Sequence, residues 1–384
     1  MSGEDVQSLR VELGRGGYDI LIGGGLLDVA GRYVAPTIRR PSAIIVTDAN
    51  VAALHLSRLT AALEAASIAH RDIILPPGEA TKDFAHYARL CQDILAHGIE
   101  RATPLIALGG GVVGDLTGFA AATLLRGLDY IQIPTTLLAQ VDSAVGGKTA
   151  IDTPQGKNLV GAFHQPVLVL ADTDTLATLP PRELRAGYAE VAKYGFIRDP
   201  GFFAWLEGHG GAVIAGDGAA RAYAVRTSLA LKAAVVGADE RDGGERQILN
   251  FGHSFGHALE AEAGFGAALL HGEAVALGMC LAFDLAARLG HCSAADAARA
   301  KRHLAGVGLP SALAALPGRL RDPATLLAHM RKDKKVKDGR VTLILPRAIG
   351  EVFVTADVAP ETLLDFLASV AGAPEPAIAL PAAD

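Results

Sequence analysis

The chain has 384 residues, of which 50% are hydrophobic and 20% charged, and its 35 Lys and Arg against 41 Asp and Glu give a formal net charge of −6. This composition is typical of a globular protein and excludes a disordered, collagen-like or disulfide-scaffold chain. The excess of acidic residues also argues against a nucleic-acid partner, because such a partner needs a dense basic face.

The first residues, MSGEDVQSLR, are polar and charged, whereas a secretory signal needs a basic region followed by an apolar run. No apolar stretch approaches the roughly 18 residues of a membrane span. The cysteines, Cys91, Cys280 and Cys292, are far apart, so neither a disulfide framework nor a thiolate metal site is indicated. We therefore expect a cytoplasmic protein with neither a membrane nor a nucleic acid as partner.

Up to about residue 182, short β-branched runs alternate with helical stretches. The extended runs are YDILI, SAIIVTD, RDIILP, TPLIAL, DYIQIP and PVLVLAD. Between the third and fourth runs, Leu90 and Ile94 recur at helical spacing and Gly98 supplies a stop. Because strand-helix-strand units build parallel sheets, residues 1–182 are predicted to form an α/β domain with a Rossmann-like parallel sheet.

A glycine-rich loop follows the run TPLIAL. The segment GGGVVGD starts at Gly109, matches G-x-G-x-x-G and precedes the helical stretch LTGFAAATLL, as a dinucleotide-binding turn requires. A tight turn would explain the glycines as well. The acidic ribose partner expected at the end of the next strand is missing, and Asp48, followed by Asn50, is the better candidate; an Asx turn at Asp48 is the alternative.

From about Glu183 onward the pattern is mainly helical. Alanine-rich segments include RAYAVRTSLALKAAVV and HGEAVALGMCLAFDLAARLG, and VTLILP with EVFVTA resembles a hairpin. Residues 183–384 are therefore predicted to form a second, mainly α-helical domain. A chain of this length is expected to hold two domains with a cleft between them.

Histidines in this second part have the spacing of metal ligands. In NFGHSFGHALE, His253 and His257 are four residues apart and share a helix face. His271 lies 14 residues further on, and GYAEVAKYG offers Glu190 with Lys193 on the same face. Three such ligands with an open position suit catalytic zinc. The alternative is that each histidine only caps or packs near a helix end.

Several long motifs, taken together, resemble the 3-dehydroquinate synthase family of the shikimate pathway. They are GGGVVGDLTGF, QIPTTLLAQVDSAVGGKTAID, GKNLVGAFHQP, LPPRELRAGYAEVAKYG, NFGHSFGHALEAE and LLHGEAV, and the likeness runs from about residue 18 to 365. The resemblance implies a homodimeric lyase that converts 3-deoxy-D-arabino-heptulosonate 7-phosphate to 3-dehydroquinate and phosphate. Transient oxidation by NAD, phosphate elimination, re-reduction and aldol closure are the implied steps. Another sugar-phosphate cyclase, or a metal- and NAD-dependent polyol dehydrogenase, is the alternative.

The resemblance also implies the residues of the site. Zn²⁺ or Co²⁺ would be held in the second domain by Glu190, His253 and His271. The residues implied for catalysis are Asp142, Lys148, Lys193, Asn250 and His257. Those implied for NAD are Asp48, Asn50, Glu79, Lys82, Gly110, Gly111, Val112, Asp115, Thr135, Thr136, Thr175, Leu176 and Thr178. Substrate contacts fall on Lys148, Lys157, Asn158, Lys232, Arg246 and Lys334 or Lys335, and on Arg126, which resembles an arginine that crosses a dimer interface.

The basic residues of this set have a physical rationale of their own. A phosphorylated keto acid carries about three negative charges, counting the phosphate as about two. Since the whole chain is acidic, cations must be concentrated where such a substrate binds. A neutral polyol would need no such set, so Lys148 and Arg246 favour the dehydroquinate branch over the alternatives.

Overall fold

Eleven strands are formed by the residues that the computed structural model describes, which are 6–14, 16–264, 266, 268–332 and 341–372. The strands are β1 (Gln7–Leu13), β2 (Gly16–Gly23), β3 (Ser42–Asp48), β4 (Ala69–Leu75), β5 (Leu105–Gly109), β6 (Tyr130–Pro134), β7 (Lys148–Thr153), β8 (Gly156–Phe163), β9 (Leu168–Asp172), β10 (Leu343–Ala348) and β11 (Glu351–Thr355). Lys334 and Lys335 lie outside the described residues.

Helices connect these strands and make up most of the later chain. They are α1 (Ala30–Val34), α2 (Ala49–Val51), α3 (Ser57–Ala65), α4 (Phe84–Ala96), α5 (Gly111–Thr123), α6 (Pro181–Ile197), α7 (Pro200–Ala215), α8 (Gly218–Ala238), α9 (His253–Ala263), α10 (His271–Arg288), α11 (Ala294–Gly306), α12 (Pro323–Lys332) and α13 (Pro360–Ala371). No helix of the described residues is long and apolar enough to cross a membrane.

The main sheet has seven strands in the order β1-β2-β9-β6-β5-β3-β4. Only the β1–β2 pair is antiparallel, and every other pair in this sheet is parallel. All residues of β5, β6 and β9 are buried, as expected for parallel strands that helices cover on both faces. The predicted Rossmann-like parallel sheet is therefore confirmed.

Each face of the sheet is covered by an apolar layer. Leu90 and Ile94 of α4 and Leu116 of α5 are fully buried on one face. Leu59 and Leu63 of α3 are fully buried on the other. The helical spacing seen in the sequence between the third and fourth apolar runs thus marks the side of α4 that meets the strands.

The order of strands reverses at β3. This strand has β4 on one side and β5 on the other, so the chain crosses back over β3 between them. Open parallel sheets bind ligands outside the carboxyl ends of their strands at such a reversal. Asp48 ends β3 and Gly109 ends β5, which puts the glycine loop and Asp48 at this position.

Strands β7 and β8 form a separate two-stranded hairpin, which was not predicted from the sequence. Its strands pair antiparallel, with Lys148 opposite Phe163, and β7 packs on α5. The contact is close, since a Cβ at Gly118 of α5 would lie 2.4 Å from Thr149 Cγ2. Glycine at position 118 therefore allows the hairpin to approach the helix, and the hairpin carries Lys148 and Lys157.

The chain divides into two units. The first comprises Met1–Val191 and His209–Arg246, and the second comprises Ala192–Gly208 and Gln247–Asp384. The first holds the main sheet, and α8 packs there on β1. The second is rich in helices, as predicted, and its rings of Phe196, Phe251 and Phe283 pack with centroids 5.3 to 6.4 Å apart.

Helices α9 and α10 of the second unit approach each other very closely. A Cβ at Gly278 of α10 would lie 2.0 Å from the carbonyl oxygen of Gly252, the residue that precedes α9. Gly252 itself has φ +82°, a conformation that favours glycine. The two helices that carry the histidines are therefore held together by backbone contact.

Candidate active site

The glycine loop of the first unit forms a strand-turn-helix junction. Gly110 precedes α5 in extended conformation, and the helix begins at Gly111. A Cβ at Gly114 would lie 2.8 Å from Gln132 Oε1 on β6, so this glycine allows α5 to approach the neighbouring strand. The first amides of a helix stabilise an anion such as a pyrophosphate. The loop is thus suited to a dinucleotide.

Asp48 caps the helix that follows β3. Its Oδ1 accepts hydrogen bonds from the amides of Asn50 and Val51, at 2.9 and 3.1 Å. This is the local turn that the sequence left open as the alternative to ribose binding. Asn50 is exposed beside it. The cap fixes the position of the carboxylate at the carboxyl end of β3.

Lys82 is a buried cation beside the glycine loop, only 4% exposed. Its Nζ lies 2.5 Å from Asp115 Oδ2 on α5 and donates to Asn158 Oδ1, also at 2.5 Å. Burial lowers the pKa of this ammonium, but the charges of Asp115 and Glu79 outweigh burial and raise it above its ordinary value. Lys82 is therefore charged, and it connects α5 to the hairpin that carries Asn158.

Lys157, one residue before Asn158, forms an ion pair with Glu79 at 3.3 Å. The segment after β4 and the β7–β8 hairpin thus meet through two lysines. Four of the predicted cofactor and substrate residues, namely Glu79, Lys82, Lys157 and Asn158, are brought together in the first unit.

Three contacts attach the segment from Asp142 to Lys148 to the later part of the first unit. Lys232 of α8 is 5% exposed, and its Nζ donates to the carboxylate and the carbonyl of Asp142. Arg246, 3% exposed, donates to the carbonyl oxygen of Gly146 at 3.0 Å. Lys148 pairs with Asp242. The structure therefore gathers four of the predicted substrate and catalytic residues, three of them cations.

The threonines after β6 and β9 are partly occupied by local hydrogen bonds. Thr175 is fully buried and donates to the carbonyl of Asp172 at 2.7 Å, and Leu176 is 1% exposed. Thr178 donates to the carbonyl of Thr175 at 2.8 Å. Thr136 Oγ1 accepts a hydrogen bond from the amide of Ala139 at 3.1 Å. The neighbouring Thr135 is buried, with 4% of its surface exposed. Their side chains thus shape the turn after each strand.

Arg126 lies in a short turn after α5 and is exposed. Its φ is +68° and that of Leu125 is +49°, values in which only glycine is common. Backbone strain of this kind persists where the surrounding structure imposes it. Arg126 is therefore presented at the surface of the first unit by a constrained turn.

The histidines of the second unit form one cluster. The ring centroid of His253 is 5.3 Å from that of His257 and 5.4 Å from that of His271. The rings of His257 and His271 are 6.2 Å apart. Ligand atoms of His257, Glu260 and His271 all lie within 4.8 Å of one another. The cluster thus brings imidazoles and a carboxylate to within a few ångströms of one another.

In His253 and His271, the ring nitrogen Nδ1 is within hydrogen-bonding distance of an oxygen atom. That of His253 lies 3.1 Å from the carbonyl oxygen of Phe251, and that of His271 lies 3.0 Å from Glu260 Oε2. His253 is 8% exposed and Glu260 is 3% exposed. The rings of His253 and His271 are thus held in fixed orientations within a partly buried cluster.

The other predicted residues lie close in sequence to the points where the chain passes from one unit to the other. Glu190 and Lys193 lie on α6, with 0% and 1% of their surface exposed. Glu190 belongs to the first unit and Lys193 to the second. Asn250 of the second unit donates to the carbonyl of Gln247 at 3.1 Å. A carboxylate and an ammonium are thus both fully buried on this helix.

Sequence reasoning missed several polar residues next to those it selected. Asp172, fully buried at the end of β9, accepts from the amides of Gly25, Leu27 and Asp174. Asp242 pairs with Lys148, and Glu260 meets His271. For Glu260 a signal existed, because it lies seven residues after His253 and so shares that face of the helix. For Asp242 the sequence contains no comparable pattern.

The chain is similar to proteins of one family along most of its length. Family models described as 3-dehydroquinate synthase N-terminal and C-terminal match residues 72–186 and 187–336. A 3-dehydroquinate synthase of Rhodospirillum rubrum is 61% identical over 346 residues, which cover 89% of each chain. One of a Jannaschia species is 54% identical over 91% of this chain and 95% of that relative.

Solved structures with a similar fold include synthases and dehydrogenases. A 2-epi-5-epi-valiolone synthase from Streptomyces hygroscopicus, with NAD⁺ and Zn²⁺ bound, has a TM-score of 0.84 at 30% identity, covering 92% of this chain and 96% of that one. A glycerol dehydrogenase from Schizosaccharomyces pombe has a TM-score of 0.62 at 18% identity, covering 92% and 88%. The second likeness concerns the fold alone.

Proposed function

Since the chain belongs to the 3-dehydroquinate synthase family, we propose that it converts 3-deoxy-D-arabino-heptulosonate 7-phosphate to 3-dehydroquinate and phosphate. It is accordingly a lyase that acts on a phosphorylated keto acid. Two observations carry the proposal: both family models match the chain, and the structure gathers cations that suit an anionic substrate. A chain with a net charge of −6 gathers Lys148, Lys232 and Arg246 around one short segment of its first unit.

We propose NAD as the cofactor of the first unit. The glycine loop and the helix end that follows it suit a pyrophosphate, and Asp48 lies at the carboxyl end of the neighbouring strand, where a ribose would be bound. When bound, NAD supplies a hydride acceptor and donor. Around it, Lys82 and Asp115 form a buried ion pair that orients the loop after β4. The remaining members of the proposed set are Asn50, Glu79, Gly110, Gly111, Val112, Thr135, Thr136, Thr175, Leu176 and Thr178.

We propose Zn²⁺ or Co²⁺ as the metal, held by Glu190, His253 and His271. Imidazoles bound to one tetrahedral ion at about 2.0–2.1 Å have ring centres about 5 Å apart. The 5.4 Å between His253 and His271 fits this value, and the chemistry of two imidazoles with a buried carboxylate suits a Lewis-acid site. When bound, the metal supplies a positive charge that stabilises oxyanions of the substrate.

We assign the remaining residues to substrate binding and proton handling. Lys148, Lys157, Lys232 and Arg246 would neutralise the phosphate and carboxylate, and Asn158 would add a hydrogen bond. His257 lies in the histidine cluster without belonging to the proposed ligand set, and we assign its imidazole to proton transfer. Asp142, Lys193 and Asn250 would orient the substrate, with Lys334 or Lys335 as a further contact.

The function is tested by incubating the purified protein with the heptulosonate phosphate, Zn²⁺ and NAD, the NAD well below the substrate concentration. We expect phosphate and the ring product to accumulate together until the substrate is consumed, without NADH absorbance. Stoichiometric NADH without phosphate would instead identify a polyol-type dehydrogenase and contradict the proposal.

A matched pair of variants tests the metal assignment in the same assay. His271→Ala should abolish phosphate release. His329, a half-buried histidine of the second unit that pairs with Glu262 at 3.0 Å, serves as the control, and His329→Ala should keep wild-type activity. Equal activity of both variants would contradict the proposed ligand set.

We also propose a cytoplasmic homodimer. Support comes from the reduced cysteines of the sequence and from Arg126, which is exposed in a constrained turn and resembles an arginine that reaches a partner subunit. Sedimentation of the purified protein together with an Arg126→Ala variant would test the assembly.

A further inference from the structure

The hydrogen bond between Glu260 and His271 determines how this histidine can bind a metal. Glu260 Oε2 lies 3.0 Å from His271 Nδ1, and the carboxylate is 3% exposed. An ionised carboxylate only accepts hydrogen bonds, so Nδ1 of the imidazole carries the proton. The lone pair of a neutral His271 is therefore on Nε2, the nitrogen on the other side of the ring.

His253 is held in the same way by a different acceptor. Its Nδ1 lies 3.1 Å from the carbonyl oxygen of Phe251, which also only accepts. The lone pair of His253 is therefore on Nε2 as well. Two imidazoles whose rings are 5.4 Å apart thus share the same tautomer, in which Nε2 is the nitrogen that can act as a metal ligand.

Glu260 could in principle bind a metal itself, because its oxygen lies within 4.8 Å of ligand atoms of His257 and His271. The hydrogen bond to Nδ1 argues against that. The two nitrogens of an imidazole point away from each other, so an ion on Nε2 of His271 lies across the ring from the carboxylate. Glu260 thus contacts the ligand rather than the ion.

We propose that Glu260 is a positioning residue that fixes the Nε2 tautomer and the ring orientation of His271 for metal binding. The proposal rests on the proposed function, which makes His271 a ligand. Carboxylates that accept from the second nitrogen of a metal-binding histidine raise its basicity, and their loss weakens metal binding about 10- to 100-fold. Because Glu260 and His253 lie on the same face of α9, one helix supplies both a ligand and the group that orients the other ligand.

The test measures Zn²⁺ affinity by competition with a chromophoric chelator, and the visible absorption of the Co²⁺-loaded protein. Glu260→Ala should weaken Zn²⁺ binding about 10- to 100-fold and change the Co²⁺ spectrum. Glu260→Gln should lose much less affinity and keep the wild-type spectrum, because an amide oxygen still accepts from Nδ1. The glutamine variant also covers the case in which the alanine variant fails to fold.

Glu262 provides a matched control on the same helix. It also pairs with a histidine, His329, at 3.0 Å, but it makes no contact with the histidine cluster among the interactions described. Glu262→Ala and Glu262→Gln should bind Zn²⁺ and Co²⁺ as the wild type does. A loss equal to that of the Glu260 variants would mean that any change of charge on α9 weakens the site, which would overturn the proposal.

The His271→Ala variant separates this inference from the proposed function. If His271→Ala loses the metal while Glu260→Ala binds it like the wild type, Glu260 does not position the ligand and this inference fails alone. If His271→Ala itself binds normally, the proposed ligand set is wrong. If both Glu260 variants lose the metal as completely as His271→Ala, Glu260 is a direct ligand and the positioning role is refuted.

Discussion

Single residues of the first unit show how an acidic chain keeps buried cations in place. Lys82, Lys232 and Arg246 are each at most 5% exposed, and each contacts an acidic side chain or a backbone carbonyl. A buried ammonium or guanidinium without such partners would be very costly. The acceptors therefore keep these groups charged and in place before a ligand arrives.

His303 is the buried residue with the clearest effect of pH. It is 9% exposed on α11, and burial lowers its pKa to about 4 from the ordinary 6.5. The folded protein thus holds it neutral, whereas the unfolded chain takes up a proton already near pH 6.5. Its contribution to stability is complete above pH 6.5 and is lost as the pH falls towards 4, by at most about 3 kcal/mol.

We expect His303→Gln, which cannot be protonated, to reduce the loss of unfolding free energy between pH 7 and pH 4. Urea denaturation at the two pH values measures it for both proteins. His97→Gln, a change at an exposed histidine, is the control and should leave the pH dependence as in the wild type. An identical pH dependence in His303→Gln would show that this imidazole does not drive acid destabilisation.

At the scale of elements, the contact of α9 with α10 positions the histidine cluster. His253 begins α9 and His271 begins α10, so the distance between their rings depends on how the helices cross. The crossing is set by backbone contact at Gly278 and Gly252. A side chain at this point would separate the helices and with them the two imidazoles.

Gly278→Ala should therefore both destabilise the protein and weaken Zn²⁺ binding. Its Cβ would lie 2.0 Å from a backbone oxygen, and overpacking of this kind costs about 1–3 kcal/mol or more. Thermal unfolding and chelator competition measure the two effects. Gly208→Ala, in a helix with no atom within 4 Å of the new Cβ, is the control and should be neutral or stabilising. Unchanged Zn²⁺ affinity in a folded Gly278→Ala variant would refute the link between crossing and metal site.

Two short π-helical turns also belong to this scale. One spans Ala52–Leu56 after the cap at Asp48, and the other spans Ala139–Ser143 and contains Asp142. Such turns are rare and occur frequently at functional sites. Here the second one brings Asp142 to Lys232 of α8, a contact that a regular helix pattern in the sequence does not reveal.

At the scale of the whole molecule, an acidic chain concentrates cations at one place. The chain is acidic overall, while the residues around the Asp142–Lys148 segment include buried cations. Salt screens exposed charges over about 8 Å at physiological ionic strength. Substrate attraction should therefore depend on the local cations and weaken as salt is added.

We expect Lys148→Gln to raise the KM of the phosphorylated substrate about tenfold or more, as expected for the loss of a charged hydrogen bond, and to reduce the salt dependence of KM. Steady-state kinetics at several salt concentrations measure both quantities. Lys301→Gln removes the same charge from an ion pair with Asp284 in the second unit, so it is the matched control. An equal rise of KM in both variants would assign the effect to total charge.

Much of the architecture could be predicted from local patterns. The runs SAIIVTD, TPLIAL and DYIQIP are β3, β5 and β6, and the spacing of Leu90 and Ile94 marks the buried face of α4. The glycine loop was placed correctly between a strand and a helix. These features are visible because strand and helix periodicity and turn chemistry depend on residues close together in the chain.

Local sequence patterns did not predict the β7–β8 hairpin or the packing of α8 on the first unit. The hairpin sequence contains Pro154, two glycines and many polar residues, and its strands pack on α5, which ends 25 positions before β7 begins. Helix α8 lies after the start of the helical region and yet packs on β1 of the first unit. Propensity carries no information on such partners.

The sequence by itself established the fold class, the family and the residue types that could bind a nucleotide, a metal and an anion, because each of these is carried by short motifs. Only the tertiary structure decided that Asp242 faces Lys148, that Glu260 holds His271 and that Gly278 sets the distance between two helices. These contacts join residues 11 to 94 positions apart. Their geometry arises from packing of the whole chain, which no local pattern encodes.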